Sequence, residues 1–146
     1  MTIQNEEIDI LKIKEILSSS KTIAIIGLSD KEYRPSYQVA KYLLENNYEI
    51  IPVNPNLTSW NGIKAYKSIS EIPIKVDIAD YFINSENVFP LVEEALSLSL
   101  ERRPRVIWLQ EGILCNKCYE LAKQKNTPII MNHCIMKMHY KLFKKS

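Results

Sequence analysis

Glycine is scarce in this sequence. Only Gly27, Gly62 and Gly112 occur in 146 residues, and they are widely separated. Neither the G-x-G-x-x-G fingerprint of dinucleotide-binding folds nor the G-x-x-x-x-G-K-[ST] phosphate loop is therefore present. The first absence weighs against a nicotinamide cofactor, the second against ATP hydrolysis. Histidine is scarcer still, with His133 and His139 alone. Neither stands beside a serine nucleophile with triad partners, so ordinary polar or capping roles are expected for both. Long apolar runs are missing: no stretch approaches the roughly 18 uninterrupted apolar residues that a membrane span requires. The start, Met1 to Glu7, lacks the basic opening and apolar run of a secretory signal. A cytoplasmic protein with no membrane partner is the expectation. Charge of one sign is lacking too, since 19 basic against 17 acidic side chains leave +2. Nucleic-acid binding would then need a concentrated patch, and the one candidate, Lys141 to Lys145, reads as a solvated helix end.

The three cysteines offer more than one chemistry. Cys115-Asn116-Lys117-Cys118 is a C-x-x-C, and His133-Cys134 follows, which makes four potential zinc ligands. Adjacent residues rarely converge on one tetrahedral ion, and a zinc ribbon wants a second spaced pair, so no metal site is expected. A C-x-x-C at a helix start also lowers a thiol pKa. Here, however, it follows the fourth strand and lacks the Trp or Pro neighbours of thioredoxin-like sites. Two free thiols in a reducing cytoplasm are the expectation.

What is present is an alternation of strand and helix patterns. An amphipathic start over about 6–17 places Ile8, Leu11, Ile16 and Leu17 on one face. The apolar run Thr22 to Ile26 reads as a buried strand. Helical spacing resumes at Val39, Tyr42 and Leu43 behind Pro35, a residue suited to a helix's first turn. Tyr48 to Val53 is a second strand, and 54–62 is rich in turn formers. Val76 to Phe82 is the third strand, and Val88, Leu91, Val92, Ala95 and Leu96 mark a helix over about 85–99. Arg105 to Leu109 is the fourth strand, 116–125 a helix, Thr127 to Met131 a fifth strand, and 134–143 a terminal helix. Helical crossovers between apolar strands imply parallel pairing and a sheet covered on both faces. The expected fold is a single α/β, Rossmann-like, doubly wound five-stranded sheet in three layers, spanning 21–146, with helix 1–20 packed on it.

In such sheets the ligand crevice lies outside the carboxyl ends of the strands, near the point where strand order reverses. The loops to inspect begin at Gly27, Asn54, Ile83 and Gln110. The first leads into a helix N-terminus, where unpaired N–H groups and the dipole favour phosphate. Gly27 permits close backbone approach, Ser29 and Ser36 offer hydroxyls, and Arg34 supplies a charged fork that matches phosphate oxygens. Strand two ends in Val53-Asn54-Pro55, without the acidic residue that holds NAD ribose hydroxyls. Asp77 and Asp80 are no carboxylate pair, because residues three apart on a strand face opposite sides. Trp60 and Trp108 read as a loop anchor and a core strand residue.

Several blocks occur together and in order: Ile25-Ile26-Gly27-Leu28-Ser29, Arg34 to Leu43, Ile51-Pro52-Val53-Asn54-Pro55, Gly62 to Ile69, Val76 to Asp80, Val106 to Ile113 and Met131 to Ile135. Jointly they resemble the small CoA-binding protein family of bacteria, over about 21–139. The resemblance implies a domain similar to the CoA-binding part of the succinyl-CoA synthetase α chain, without that enzyme's ligase domains and phosphorylated histidine. It implies CoA or acyl-CoA as the ligand of a non-catalytic module, with Gly27, Leu28 and Ser29 against the pyrophosphate and Arg34 and Ser36 in support. It implies Asn54 and Pro55 near the adenosine end, and Gln110 and Gly112 near the pantetheine arm. One departure stands out: where the family often carries basic residues after strand three, this chain reads Phe82-Ile83-Asn84. Asn84 stands where the resemblance implies a basic phosphate contact, with Lys31 and Lys64 as substitutes for the lost charge. Two alternatives stay open: an NAD(P)-linked or CoA-transferring enzyme, for which only Cys134 or His133 offers a reactive group, and a zinc or thiol protein using the cysteines.

Overall fold

The computed structural model describes residues 6–144. Helix α1 (Glu6–Ser19) leads into strand β1 (Thr22–Ile26), followed by α2 (Pro35–Glu45), β2 (Glu49–Val53) and a small antiparallel hairpin, β3 (Ser59–Trp60) and β4 (Ile63–Lys64). After a 3-10 turn at Ile69–Glu71 come β5 (Ile78–Tyr81), α3 (Val88–Leu96), β6 (Val106–Leu109), α4 (Asn116–Gln124), β7 (Ile129–Ile130) and α5 (Ile135–His139), which ends in a π turn at Tyr140–Lys144.

The main sheet has the order β2-β1-β5-β6-β7, all parallel. This is the Rossmann-like, doubly wound α/β arrangement, and the order reverses beside β1. Alternate residues of each strand feed two cores, as the period of two requires. Ile23 and Ile25, with Ile78 and Trp108, pack against Ile13 and Leu17 of α1, Val39 and Leu43 of α2, and Ile135 of α5. Ala24, Tyr81, Ile107 and Leu109 pack on the other side against Val88 and Val92 of α3 and Cys118 and Ala122 of α4. Both faces are covered, which is why the strands read as continuous apolar runs. Trp60 and Trp108 are both buried, the first edge-on to Tyr37 and the second on β6 with its indole N–H donating to the His133 carbonyl.

Three local expectations are corrected. In α1 the inward face carries Ile13, Ile16 and Leu17, while Leu11 is 66% exposed; Ile8 lies outside the residues whose side chains are described. The turn-rich segment contains a hairpin, closed by Asn61 and Gly62, both at positive φ. Cys115 and Cys118 are joined in a disulfide rather than standing as two free thiols. Lys145, at the end of the basic tail, lies outside the described residues.

Candidate functional site

The carboxyl ends of β1, β2 and β5 meet beside the reversal point, and three adjoining cavities open there. The central one, of about 530 Å³, is lined by the first loop, including Gly27, Ser29, Lys31, Arg34 and Ser36, together with Asn54 and Phe82. A second, of about 310 Å³, shares Gly27, Asn54 and Asn56 with it and continues over Pro55, Ile69, Tyr81 and Leu91. A third, of about 500 Å³, shares Tyr33, Pro35 and Phe82 and continues over Asn84, Gln110, Cys134 and Met136. Together they form one crevice with a polar middle, where Lys31 and Arg34 stand beside Asp30, and two more apolar ends.

The loop geometry explains the middle. Gly27 has φ +88° and donates its N–H to the Val53 carbonyl at 2.9 Å. Leu28 is fully buried in the core and lines none of the three cavities, so the expected contact of Leu28 with the ligand is not seen. Its carbonyl accepts the side-chain amide of Asn54 at 2.9 Å, while the Asn54 Oδ1 accepts the Asn56 N–H at 2.8 Å. The ends of β1 and β2 are thus tied together by one asparagine. Ser36 is buried, and its hydroxyl accepts the Ser29 N–H at 2.9 Å; the Ser29 hydroxyl in turn accepts the Lys31 N–H at 3.0 Å. These two serines shape the loop. Arg34 is the N-cap residue of α2 and caps nothing with its side chain; its guanidinium lies 5.6 Å from the Tyr33 ring centre. Lys31 and Arg34, both exposed, are the loop's cations.

On the third-cavity side, Gln110 is buried and its Oε1 accepts the Ile135 N–H at 3.1 Å, joining the end of β6 to the start of α5. Asn84 accepts the Asn87 N–H at 3.1 Å and so closes the turn into α3. Gly112, at φ +87°, is exposed and donates to the Asn132 Oδ1 at 2.7 Å; it shapes the loop but lines none of the three cavities. Lys64 lies away from the crevice, with its ammonium 5.2 Å from the Tyr66 ring centre. The structure instead brings Lys67 to the second cavity and Lys137, paired with Glu111 at 2.9 Å, to the third. His133 is exposed and outside the crevice, whereas Cys134 lines it. Tyr81, held well above the usual phenol range by burial and then by Glu94, stays neutral in the second cavity and donates to the Leu91 carbonyl at 3.3 Å. Sequence reasoning missed Tyr33, Phe82 and Tyr81, whose places depend on register and not on motif. Among the described residues, no group of three or more His, Cys, Asp or Glu is placed to hold a metal ion.

A doubly wound parallel sheet, with the loop after β1 at its reversal point, defines an α/β protein of the Rossmann-like class. More narrowly, residues 21–140 match the CoA binding domain family, and the chain belongs to it. It is 41% identical over 128 residues to the protein YneT of Bacillus subtilis (strain 168), a match covering 88% of this chain and 92% of that one. It is 31% identical over 135 residues to the ADP-forming acetate–CoA ligase of Methanocaldococcus jannaschii; this match covers 86% of this chain but only 19% of the ligase. A solved structure from Thermus thermophilus, cell-free ID.343, superposes with a TM-score of 0.84 at 31% identity, covering 92% of this chain and 98% of that one.

Proposed function

We propose that the crevice binds coenzyme A or an acyl-CoA, and that the domain acts as a non-catalytic CoA-binding module of the cytoplasm. The observation that carries this reading is the continuity of the three cavities. A polar middle in which two cations outnumber one carboxylate suits the pyrophosphate, and the two more apolar flanks suit the adenosine and the pantetheine arm. Gly27 fits the role of phosphate floor, because a Cβ there would lie 2.6 Å from the Phe82 carbonyl oxygen; the close approach of loop and strand requires glycine. Arg34 and Lys31 would supply the charge-assisted hydrogen bonds to phosphate, and the buried Ser36 would hold the loop in shape. Bound CoA supplies a thiol that carries an acyl group; this chain's own part is to bind and orient it.

The test is calorimetric titration of CoA, acetyl-CoA, NAD and ATP into the full chain and into Arg34→Ala. Loss of one charge-assisted contact removes about 1.5–3 kcal/mol, or about tenfold or more in affinity. Binding of CoA species that weakens by that factor in the variant, with none for NAD, supports the reading. NAD binding without CoA binding overturns it.

The ligase match favours a second reading, in which the domain presents CoA to a separate catalytic partner, as the corresponding portion of a ligase would. Co-purification with a partner that confers CoA- and ATP-dependent acyl activation distinguishes this from a free-standing module.

A further inference from the structure

We propose that Cys115 and Cys118 form a reversible thiol–disulfide couple that exchanges with low-molecular-weight thiols and disulfides at Cys115. The pair is bonded, with its Cα atoms 5.2 Å apart, inside the range that a disulfide spans without backbone movement. Its two sulfurs stand in different surroundings. Cys118 is fully buried in the core beneath α4, while Cys115 is partly exposed at the helix start. A thiolate arriving from solvent meets Cys115 first.

The local structure also favours Cys115 as the reactive sulfur after reduction. It is the N-cap residue of the nine-residue α4, and its Sγ accepts the Cys118 N–H at 3.0 Å. A sulfur that accepts a backbone N–H at the positive end of a helix is stabilised as thiolate, and the thiolate is the nucleophile. Cys118 has no such access and serves as the resolving thiol. The segment that presents Cys115 is pinned independently of the disulfide: Ile113 N–H donates to the Gln110 carbonyl at 2.9 Å, Gly112 N–H to Asn132 Oδ1 at 2.7 Å, and Leu114 N–H to Ser85 Oγ at 3.0 Å. Reduction therefore frees the sulfurs without unpinning the loop, which suits a couple that cycles.

The exchange balances with two equivalents of thiol. A thiolate attacks Cys115 Sγ; the Cys115–Cys118 bond breaks, and Cys118 leaves as a thiolate and takes up a proton. A second thiolate attacks the external sulfur of the mixed disulfide on Cys115, releasing the Cys115 thiolate and one small-molecule disulfide. The protein gains two electrons and the two thiols lose them. Run backwards, the same steps reduce a small disulfide. The proposal does not depend on CoA occupying the crevice, so glutathione is the probe.

The full chain is equilibrated in glutathione buffers of stepped oxidised-to-reduced ratio, quenched with acid, alkylated and mapped by peptide mass. The expected result is a two-electron transition between the bonded and dithiol forms within the glutathione range, with Cys115 alkylated at least about tenfold faster than Cys118. Cys118→Ala, checked for folding by circular dichroism, should accumulate a glutathione adduct on Cys115. Should the variant not fold, the wild-type alkylation order still decides between the two sulfurs. A pair that stays unbonded in excess oxidised glutathione, that stays bonded in excess reduced glutathione, or that reacts equally at both sulfurs overturns the proposal.

Discussion

The carbonyl oxygen of Phe82 stands where a side chain on Gly27 would have to go: a Cβ built on that glycine lies 2.6 Å from it. With φ at +88°, the position also disfavours any L side chain. Gly27→Ala is therefore expected to cost about 1–3 kcal/mol in denaturant unfolding, through strain and overpacking together. It should also abolish CoA binding in calorimetry, because the loop must move off β5 to admit the methyl group. Wild-type affinity in the variant would show that the loop does not form the phosphate floor.

Asp80 is fully buried between Ile25 and Trp108, and among the described residues neither carboxyl oxygen has a hydrogen-bond partner. Burial holds it well above the usual carboxylate range, so the folded state keeps it protonated. Its unfolded counterpart ionises near pH ~3.9. Above that value the folded state binds more protons than the unfolded one, and stability falls as pH rises toward the folded pKa, by at most about 1.4 kcal/mol per pH unit. Asp80→Asn should flatten this decline, so its stability relative to wild type climbs as pH rises above about 4. Urea melts at stepped pH measure it, and parallel curves for the two proteins would contradict it.

Asp77, three residues earlier, should show the opposite slope. Burial alone would raise its pKa, but the N–H groups of Lys21 (2.7 Å) and Thr22 (3.1 Å) and the Arg105 guanidinium (3.3 Å) outweigh that and lower it. Its contribution is present above the unfolded pKa of ~3.9 and is lost as pH falls through the folded value. Asp77→Ala leaves two backbone donors without their acceptor and should cost about 1–3 kcal/mol at neutral pH, shrinking in acid. A cost independent of pH would point to packing alone.

His139 anchors the end of the chain, with Nδ1 2.8 Å from the Tyr42 hydroxyl and its ring against Tyr48 and Phe143. Burial, then repulsion from Lys144, lowers its pKa. The folded state prefers neutral imidazole, so stability is lost as pH falls below the unfolded value of ~6.5. Hydrogen-exchange protection across 135–144, taken relative to the intrinsic rate at each pH, should fall as pH drops below about 6.5, and His139→Phe should remove that fall.

The five main strands were legible as short, largely apolar stretches between helix patterns, and the two-sided burial of Ile23 to Ile26 shows why; Asp80 interrupts one of them, and the last is only Ile129–Ile130. The hairpin at 59–64 is hidden in the sequence although Asn61-Gly62 carries the turn signal, because Ser59-Trp60 and Ile63-Lys64 each pair one apolar with one polar residue and so show neither an apolar run nor a length over which alternation is visible. In α1, Leu11 and Ile13 compete for the same stripe, and spacing alone does not say which of two apolar residues faces the sheet. Gly27, Arg34, Asn54 and Gln110 were found as loop positions at strand ends. Tyr33, Phe82 and Cys134 join them only through the way α2, β5 and α5 are set side by side. The disulfide was hidden because a C-x-x-C spacing serves zinc, redox chemistry and free thiols alike.

Strand β2 lies at the rim of the sheet, where unpaired backbone groups would invite another chain to add on. Pro52 has no N–H to offer there, and its carbonyl already accepts the Tyr66 N–H at 2.9 Å, while the Tyr66 carbonyl takes the Asn54 N–H at 2.9 Å. One residue of the following segment thus blunts the outer edge against strand addition, and the same bridge fixes Asn54, which closes the crevice. A change that loosened Tyr66 would therefore open the rim to self-association and slacken the ligand loop in a single step.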